Sequence, residues 1–164
     1  MKCQTGFTLI ELLIVVALII IIAAIAVPSI TTAKMNADEA SAVASIRAIN
    51  TAEVSYMAAY GGYAESLANL GGAEPCAKSM ATACLLDQSL AGGVKSGYNL
   101  AAVGSGANGV STSYVASAAP VVFDRTGKRL FCSTDKNVIR VDLNGGGSTT
   151  PPDGAQCLGF EALQ

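Results

Sequence analysis

The 164-residue chain contains no histidine and no tryptophan, and only 13% of its residues are charged. Without histidine it lacks the commonest general base and metal ligand, and no Ser-His or Cys-His nucleophile pair can form. Aromatic residues make up 5%, and the formal net charge of −2 provides no bulk attraction for nucleic acid. These absences argue against an enzyme. They predict no catalytic residue, no cofactor, no metal and no direct nucleic-acid site.

The chain does contain one long apolar run, from Phe7 to Val27, in which Glu11 is the only charged residue between Lys2 and Lys34. As a helix this run would extend about 31 Å at ~1.5 Å per residue, enough to cross the hydrocarbon core of a bilayer. A lone carboxylate in such a segment costs roughly 2.5–3.5 kcal/mol on insertion scales. We therefore expect Glu11 to have a partner or a function.

The residues around the start of the run form a recognisable motif. Gly6 directly precedes Phe7-Thr8-Leu9-Ile10-Glu11, and an unbroken apolar helix follows. This resembles the class III signal of type IV prepilins and type II secretion pseudopilins. The resemblance covers about thirty residues, through Pro28, and beyond them concerns architecture only. It implies cleavage after Gly6 by prepilin peptidase, N-methylation of Phe7, and a functional carboxylate at Glu11.

A physical argument supports a role for Glu11 in assembly. Cleavage would create a cationic α-amine on Phe7, which is as costly to leave unpaired in lipid as the carboxylate. If the amine of one subunit meets Glu11 of its neighbour, both charges are neutralised and the axial register of the two helices is set.

Pro28 follows the apolar run, and we expect it to kink the helix rather than end it. Apolar side chains recur at helical spacing from Val43 through Ile46 to Met57 and Tyr60, and Gly61-Gly62 provides a stop. Charged residues, Glu39 and Glu53 among them, fall largely off that face. The pattern predicts one helix from about Phe7 to Tyr60.

The remainder predicts a small head with three to four antiparallel strands folded over the C-terminal half of the helix, which is an α+β, pilin-like fold. The stretch Leu67 to Gly71 resembles the short helix that many pilin-like proteins carry after the long one. Turns are expected at Asp124–Gly127, with Gly127 at a positive φ, and at Asp135–Asn137. The predicted strand runs are Tyr98 to Val103, Thr112 to Ala118, Val121 to Phe123, Lys128 to Cys132, and Val138 to Leu143. The expected segments are a leader (1–6), a transmembrane or filament-core helix (7–30), an amphipathic half-helix (31–62) and the head (63–164).

Five cysteines become four once Cys3 leaves with the leader, and four in an exported domain suggest two disulfides with three possible pairings. Pairing Cys76 with Cys84 would close a local loop. Pairing Cys132 with Cys157 would attach the Gly/Pro-rich tail to the sheet, and this resembles the C-terminal disulfide-bounded region of many type IV pilins. The connectivity stays open at this point. A zinc site is disfavoured by the seven-residue gap between Cys76 and Cys84 and by the lack of histidine.

Calcium is a weaker hypothesis for the acidic and amide residues of the C-terminal part, because they do not match a twelve-residue calcium loop and such residues usually cap turns. The residues concerned are Asp135, Asn137, Asp142 and Asn144.

The resemblance implies a structural subunit of a type IV pilus, or fimbrium, whose tasks include cell adhesion and motility. Such a subunit is a single-pass inner-membrane protein in the lipid bilayer before assembly and part of an extracellular surface pilus afterwards. Its partners would be further copies in a helical homopolymer, prepilin peptidase and the inner-membrane assembly platform. The alternatives are a type II secretion pseudopilin or a minor pilin. A different class is a periplasmic binding domain released by signal peptidase near Ala26, against which the charge at Glu11 argues.

Overall fold

A computed structural model describes residues 7–107 and 110–163. By its internal contacts the chain divides into two compact units, Met1–Lys34 and Met35–Gln164. The predicted leader, and with it Gly6, lies outside the described residues.

The long helix α1 runs from Leu9 to Tyr60 and continues through Pro28, as the sequence predicts. Hydroxyl groups near the proline bond back to carbonyls: the Ser29 Oγ donates to Ala26 O at 2.8 Å and the Thr31 Oγ1 to Pro28 O at 2.9 Å. The helix ends where predicted. Gly61 has a φ of +80° and donates its N–H to Met57 O at 2.9 Å, which is the usual role of a glycine after a helix C-terminus.

The second unit contains an antiparallel sheet with six strands among the described residues, in the order β1 to β6. The strands are β1 (Val94–Lys95), β2 (Tyr98–Ala107), β3 (Val110–Pro120), β4 (Leu130–Thr134), β5 (Ile139–Asp142) and β6 (Glu161–Ala162). Each pairs with its neighbour in sequence. Short helical segments are α2 (Leu67–Leu70), α3 (Gln88–Ala91) and α4 (Gly154–Leu158), of which α2 was predicted.

The predicted number of three to four strands is wrong. Four of the predicted runs correspond to β2, β3, β4 and β5. The strands β1 and β6 were missed because each has only two residues, too few to show an alternation of apolar and polar side chains. The predicted run Val121 to Phe123 is not a strand. It lies in the connection between β3 and β4, where the Val121 N–H donates to Gly97 O and Thr126 bonds to the backbone of Val122.

The two predicted turns form, with one correction. Asn137 donates its N–H to Thr134 O at 2.8 Å and closes the turn between β4 and β5. In the other turn the residue with positive φ is Asp124, at 60°, and not Gly127. Gly127 is needed for a different reason, because a Cβ there would come within 2.0 Å of the Tyr98 hydroxyl.

The core of the second unit lies between one stripe of α1 and the sheet, so the predicted packing of helix on antiparallel sheet is confirmed. Ile46 and Ile49 are fully buried with Tyr114 and Phe131 of the sheet. Met57, predicted on this face, is exposed. The centre of the buried stripe of α1 repeats at alternating steps of three and four, through Glu39, Ala42, Ile46, Ile49, Glu53 and Tyr56, and it is flanked by the buried residues Ser45, Asn50 and Ala52.

Candidate functional site

The first turn of α1 is organised by Thr8 and Glu11. Thr8 directly precedes the helix, and its N–H and Oγ1 both donate to the Glu11 Oε2, at 3.1 and 2.7 Å. The Glu11 N–H in turn donates to the Thr8 Oγ1 at 3.3 Å. This is a capping box, in which a threonine and a glutamate three residues later satisfy each other's backbone donors. The Thr-x-x-Glu spacing could have indicated it from the sequence, where only the charge of Glu11 was considered.

The apolar residues that follow are unpartnered within their own unit. None of the described residues 7–34 is buried, and Phe7 is 83% exposed. Among the described residues α1 is the one helix long and apolar enough to cross a membrane. An aliphatic surface of this extent requires lipid or other protein around it.

Glu39 connects α1 to the start of β4. Its Oε1 accepts from the N–H groups of Lys128 and Arg129, at 2.9 and 3.3 Å, and its Oε2 accepts from the Arg129 Nε at 2.6 Å. Burial raises the pKa of Glu39, but these hydrogen bonds and the guanidinium outweigh it and leave the pKa below its ordinary value. The carboxylate is therefore charged and fully paired, and it holds the loop before β4 against the helix.

Glu53, two turns before the end of α1, is fully buried with one oxygen unpaired. Its Oε2 accepts from the Ala64 N–H at 2.9 Å, whereas Oε1 has no partner among the described residues. Burial raises the pKa of Glu53 to about 7, against the lowering effect of the single N–H. The prediction that Glu39 and Glu53 lie off the buried face is wrong. Both occupy the three-and-four repeat of the core stripe, which is the signal that could have revealed them.

Two disulfides join the four cysteines outside the leader. Cys76 and Cys84 form the loop disulfide, with Cα atoms 6.1 Å apart, and Cys132 and Cys157 form the tail disulfide, with Cα atoms 5.8 Å apart. The tail disulfide is completely buried and links β4 to α4, whereas both cysteines of the loop disulfide are partly exposed. Of the three pairings open to the sequence, the structure has this one.

Two of the four residues considered for calcium have side chains with other partners. The Tyr114 hydroxyl donates to the Asn137 Oδ1 at 3.0 Å, and the Asp142 Oδ1 accepts from the Asn144 N–H at 3.1 Å. Within residues 7–107 and 110–163, no three His, Cys, Asp or Glu side chains are grouped so that they could hold a metal ion.

Comparison with known proteins identifies the N-terminal segment. Residues 1–27 match the family model described as "Prokaryotic N-terminal methylation motif". The match spans the predicted cleavage position, the capping box and the whole apolar run. No solved structure matches the chain.

Proposed function

We propose that this chain, which carries the class III prepilin signal of the type IV pilin and pseudopilin family, is the structural subunit of a type IV pilus. The observation that carries the proposal is the continuity of the matched motif with an apolar helical segment that has no buried residue in its own unit. A segment of this kind is stable in a bilayer, or in a filament core where copies of the same helix surround it. The proposed role is structural rather than enzymatic.

Maturation is proposed to occur at the Gly6–Phe7 bond. Prepilin peptidase would remove residues 1–6 and methylate the new α-amine of Phe7. The mature segments would then be a membrane and filament-core helix (7–30), kinked at Pro28, an amphipathic half-helix (31–62) and the head (63–164).

Assembly is proposed to depend on Glu11. Within one subunit the Thr8 N–H and hydroxyl both donate to Oε2, and no hydrogen bond from residues 7–107 or 110–163 occupies Oε1, so it could accept from a donor on another subunit. The methylated amine of Phe7 on a neighbouring subunit is such a donor. Pairing these charges would remove the penalty that each carries in lipid and would select one axial register. Apolar contacts among neighbouring helices, at roughly 25 cal/mol per Å² buried outside the membrane, would offset extraction from the bilayer.

A surface pilus is favoured over a type II secretion pseudopilin by the tail disulfide. Cys132 and Cys157 bound a C-terminal region that resembles the disulfide-bounded surface of many type IV pilins. The side chains of Asn137 and Asp142, considered as calcium ligands, are engaged with Tyr114 and with a backbone N–H. A minor pilin of the same filament is the second candidate, because a minor pilin would need the same N-terminal motif and the same apolar helical segment.

Mass spectrometry of the mature N-terminus tests the proposal, with envelope and sheared-surface fractions analysed side by side. We expect a peptide that begins at Phe7 with one additional methyl group in both fractions. A peptide that begins at Val27 would show release by signal peptidase and would refute the filament subunit. Correct processing with protein confined to the envelope would instead favour the pseudopilin.

A further inference from the structure

The loop between β3 and β4, residues 121–129, carries an apolar surface that the core does not use. Val121, Val122 and Phe123 are 39%, 45% and 36% exposed. The backbone of the loop is satisfied by its own hydrogen bonds: the Asp124 N–H donates to Gly127 O at 2.9 Å, and the Thr126 Oγ1 lies 3.1 Å from both the N and O of Val122. The loop therefore holds its shape while three consecutive apolar side chains stay in contact with solvent.

Cations follow these apolar residues. Arg125 and Lys128 are both exposed. Lys128 pairs with Asp124 at 2.8 Å, and Arg125 has no ion pair among the described residues. Adjacent apolar and cationic side chains are the composition with which peripheral segments bind a membrane interface, the apolar part entering the acyl boundary and the cations contacting lipid phosphates.

The chain connection limits how far this loop can lie from the apolar run. The backbone N–H groups of Lys128 and Arg129 are bonded to Glu39, which follows Ile30 by nine residues. Nine residues span at most about 32 Å when fully extended and about 14 Å as a helix. The length of this connection therefore allows the loop to reach the surface of a bilayer that the apolar run crosses.

We propose that the β3–β4 loop rests on the bilayer surface in the unassembled subunit, with Val121, Val122 and Phe123 in the interface and Arg125 and Lys128 on lipid phosphates. The head is thereby held against the membrane until the subunit is extracted into the filament. This inference rests on the membrane-inserted stage of the proposed function.

The absence of tryptophan from the sequence permits a direct test. Phe123→Trp places a single tryptophan in the loop and is the loop probe. Val138→Trp is the control probe, because Val138 is similarly exposed, at 42%, but lies beyond the opposite end of β4. Leu18→Trp is the insertion probe, which reports on the apolar run. Each full-length variant is reconstituted into vesicles of phosphatidylethanolamine and phosphatidylglycerol, with lipids brominated at shallow or deep acyl positions.

We expect shallow bromines to quench the loop probe more strongly than deep ones, with a blue-shifted emission, and the control probe to be unaffected. The insertion probe should be quenched most by deep bromines. Adding Arg125→Glu to the Phe123→Trp variant, a change at an exposed side chain, should reduce quenching of the loop probe. If it does not, the phosphate contact is refuted.

The outcomes separate this inference from the proposed function. A quenched insertion probe with an unquenched loop probe would refute the loop contact alone. An unquenched insertion probe would refute membrane insertion and the loop contact together. If the loop probe is shielded in sheared filaments but not in vesicles, the surface is a contact between subunits and the bilayer proposal is overturned.

Discussion

Replacing Glu53 with glutamine is expected to stabilise the protein at neutral and alkaline pH and to leave its stability at pH 5 nearly unchanged. Glu53 is fully buried, and its carboxyl group accepts one hydrogen bond, from the Ala64 N–H. Glutamine has the same shape and can accept the same hydrogen bond through its carbonyl oxygen. Its amide group would take the place of the unpaired Oε1 and would bury no charge.

The magnitude follows from the pKa of the Glu53 carboxyl, which burial raises from an ordinary 4.5 to about 7. The folded protein therefore binds a proton that the unfolded chain releases, and stability falls as the pH rises from 4.5 through 7. The difference of about 2.5 pH units corresponds to about 3 kcal/mol at 1.36 kcal/mol per unit. Glu39 acts outside this window, because its pKa is lowered and its contribution is lost only as the pH falls below 4.5.

The assay is urea unfolding of the full chain in detergent micelles between pH 5 and pH 8, followed by the near-ultraviolet circular dichroism of the tyrosines. The wild-type protein should lose stability across this range, whereas Glu53→Gln should lose much less and exceed it by up to about 3 kcal/mol at pH 8. Glu65→Gln, which removes an exposed carboxylate, controls for the change in net charge. Parallel pH profiles for the wild type and Glu53→Gln would refute the reasoning.

Three further predictions concern the pairing of Glu39 with Arg129, the disulfides and assembly. Arg129→Ala should lower the free energy of unfolding of the head by about 1–3 kcal/mol in urea, because Glu39 loses its guanidinium partner. Lys128→Ala breaks only the exposed ion pair with Asp124 and should change that free energy by less than ~1 kcal/mol. Equal effects would contradict the larger contribution assigned to the partly buried pair of Glu39 and Arg129. Stepwise reduction with dithiothreitol should open the loop disulfide before the tail disulfide, because only the cysteines of the loop disulfide are partly exposed. Alkylation and mass spectrometry would show the order, and simultaneous opening would argue against protection of the tail disulfide by burial. Glu11→Ala should insert into the membrane but assemble poorly, since the amine of the neighbour loses its partner, and sheared filaments in normal amounts would exclude the pairing.

The ends and continuity of α1 were predictable because the signals are local. Its first half is apolar on every side, the spacing of three and four continues beyond Pro28, and Gly61 supplies the left-handed residue that ends it. The capping box has an equally local signal, a threonine and a glutamate three positions apart at Thr8 and Glu11.

The errors arose where distant residues decide the outcome. Val121 to Phe123 have the composition of a strand, but pairing of β3 with β4 covers only Val115 to Ala118 and leaves them in the loop. Gly127 is required by the Tyr98 side chain and not by its own φ. No property of a single segment reveals such a contact.

The sequence by itself determined the apolar run, the N-terminal methylation motif and the position of the charge at Glu11. Each of these features lies on one contiguous stretch of chain, so they are complete before folding. Tertiary structure alone decided which cysteines pair, which carboxylates are buried and which apolar residues remain exposed. Glu39 accepts from the N–H of Lys128, 89 positions away, and the buried Asn50 Nδ2 donates to the Ser133 hydroxyl, 83 positions away. Whether such groups meet depends on how the helix packs on the sheet, because the free energy of a buried charge or amide is set by the partners that this packing brings to it.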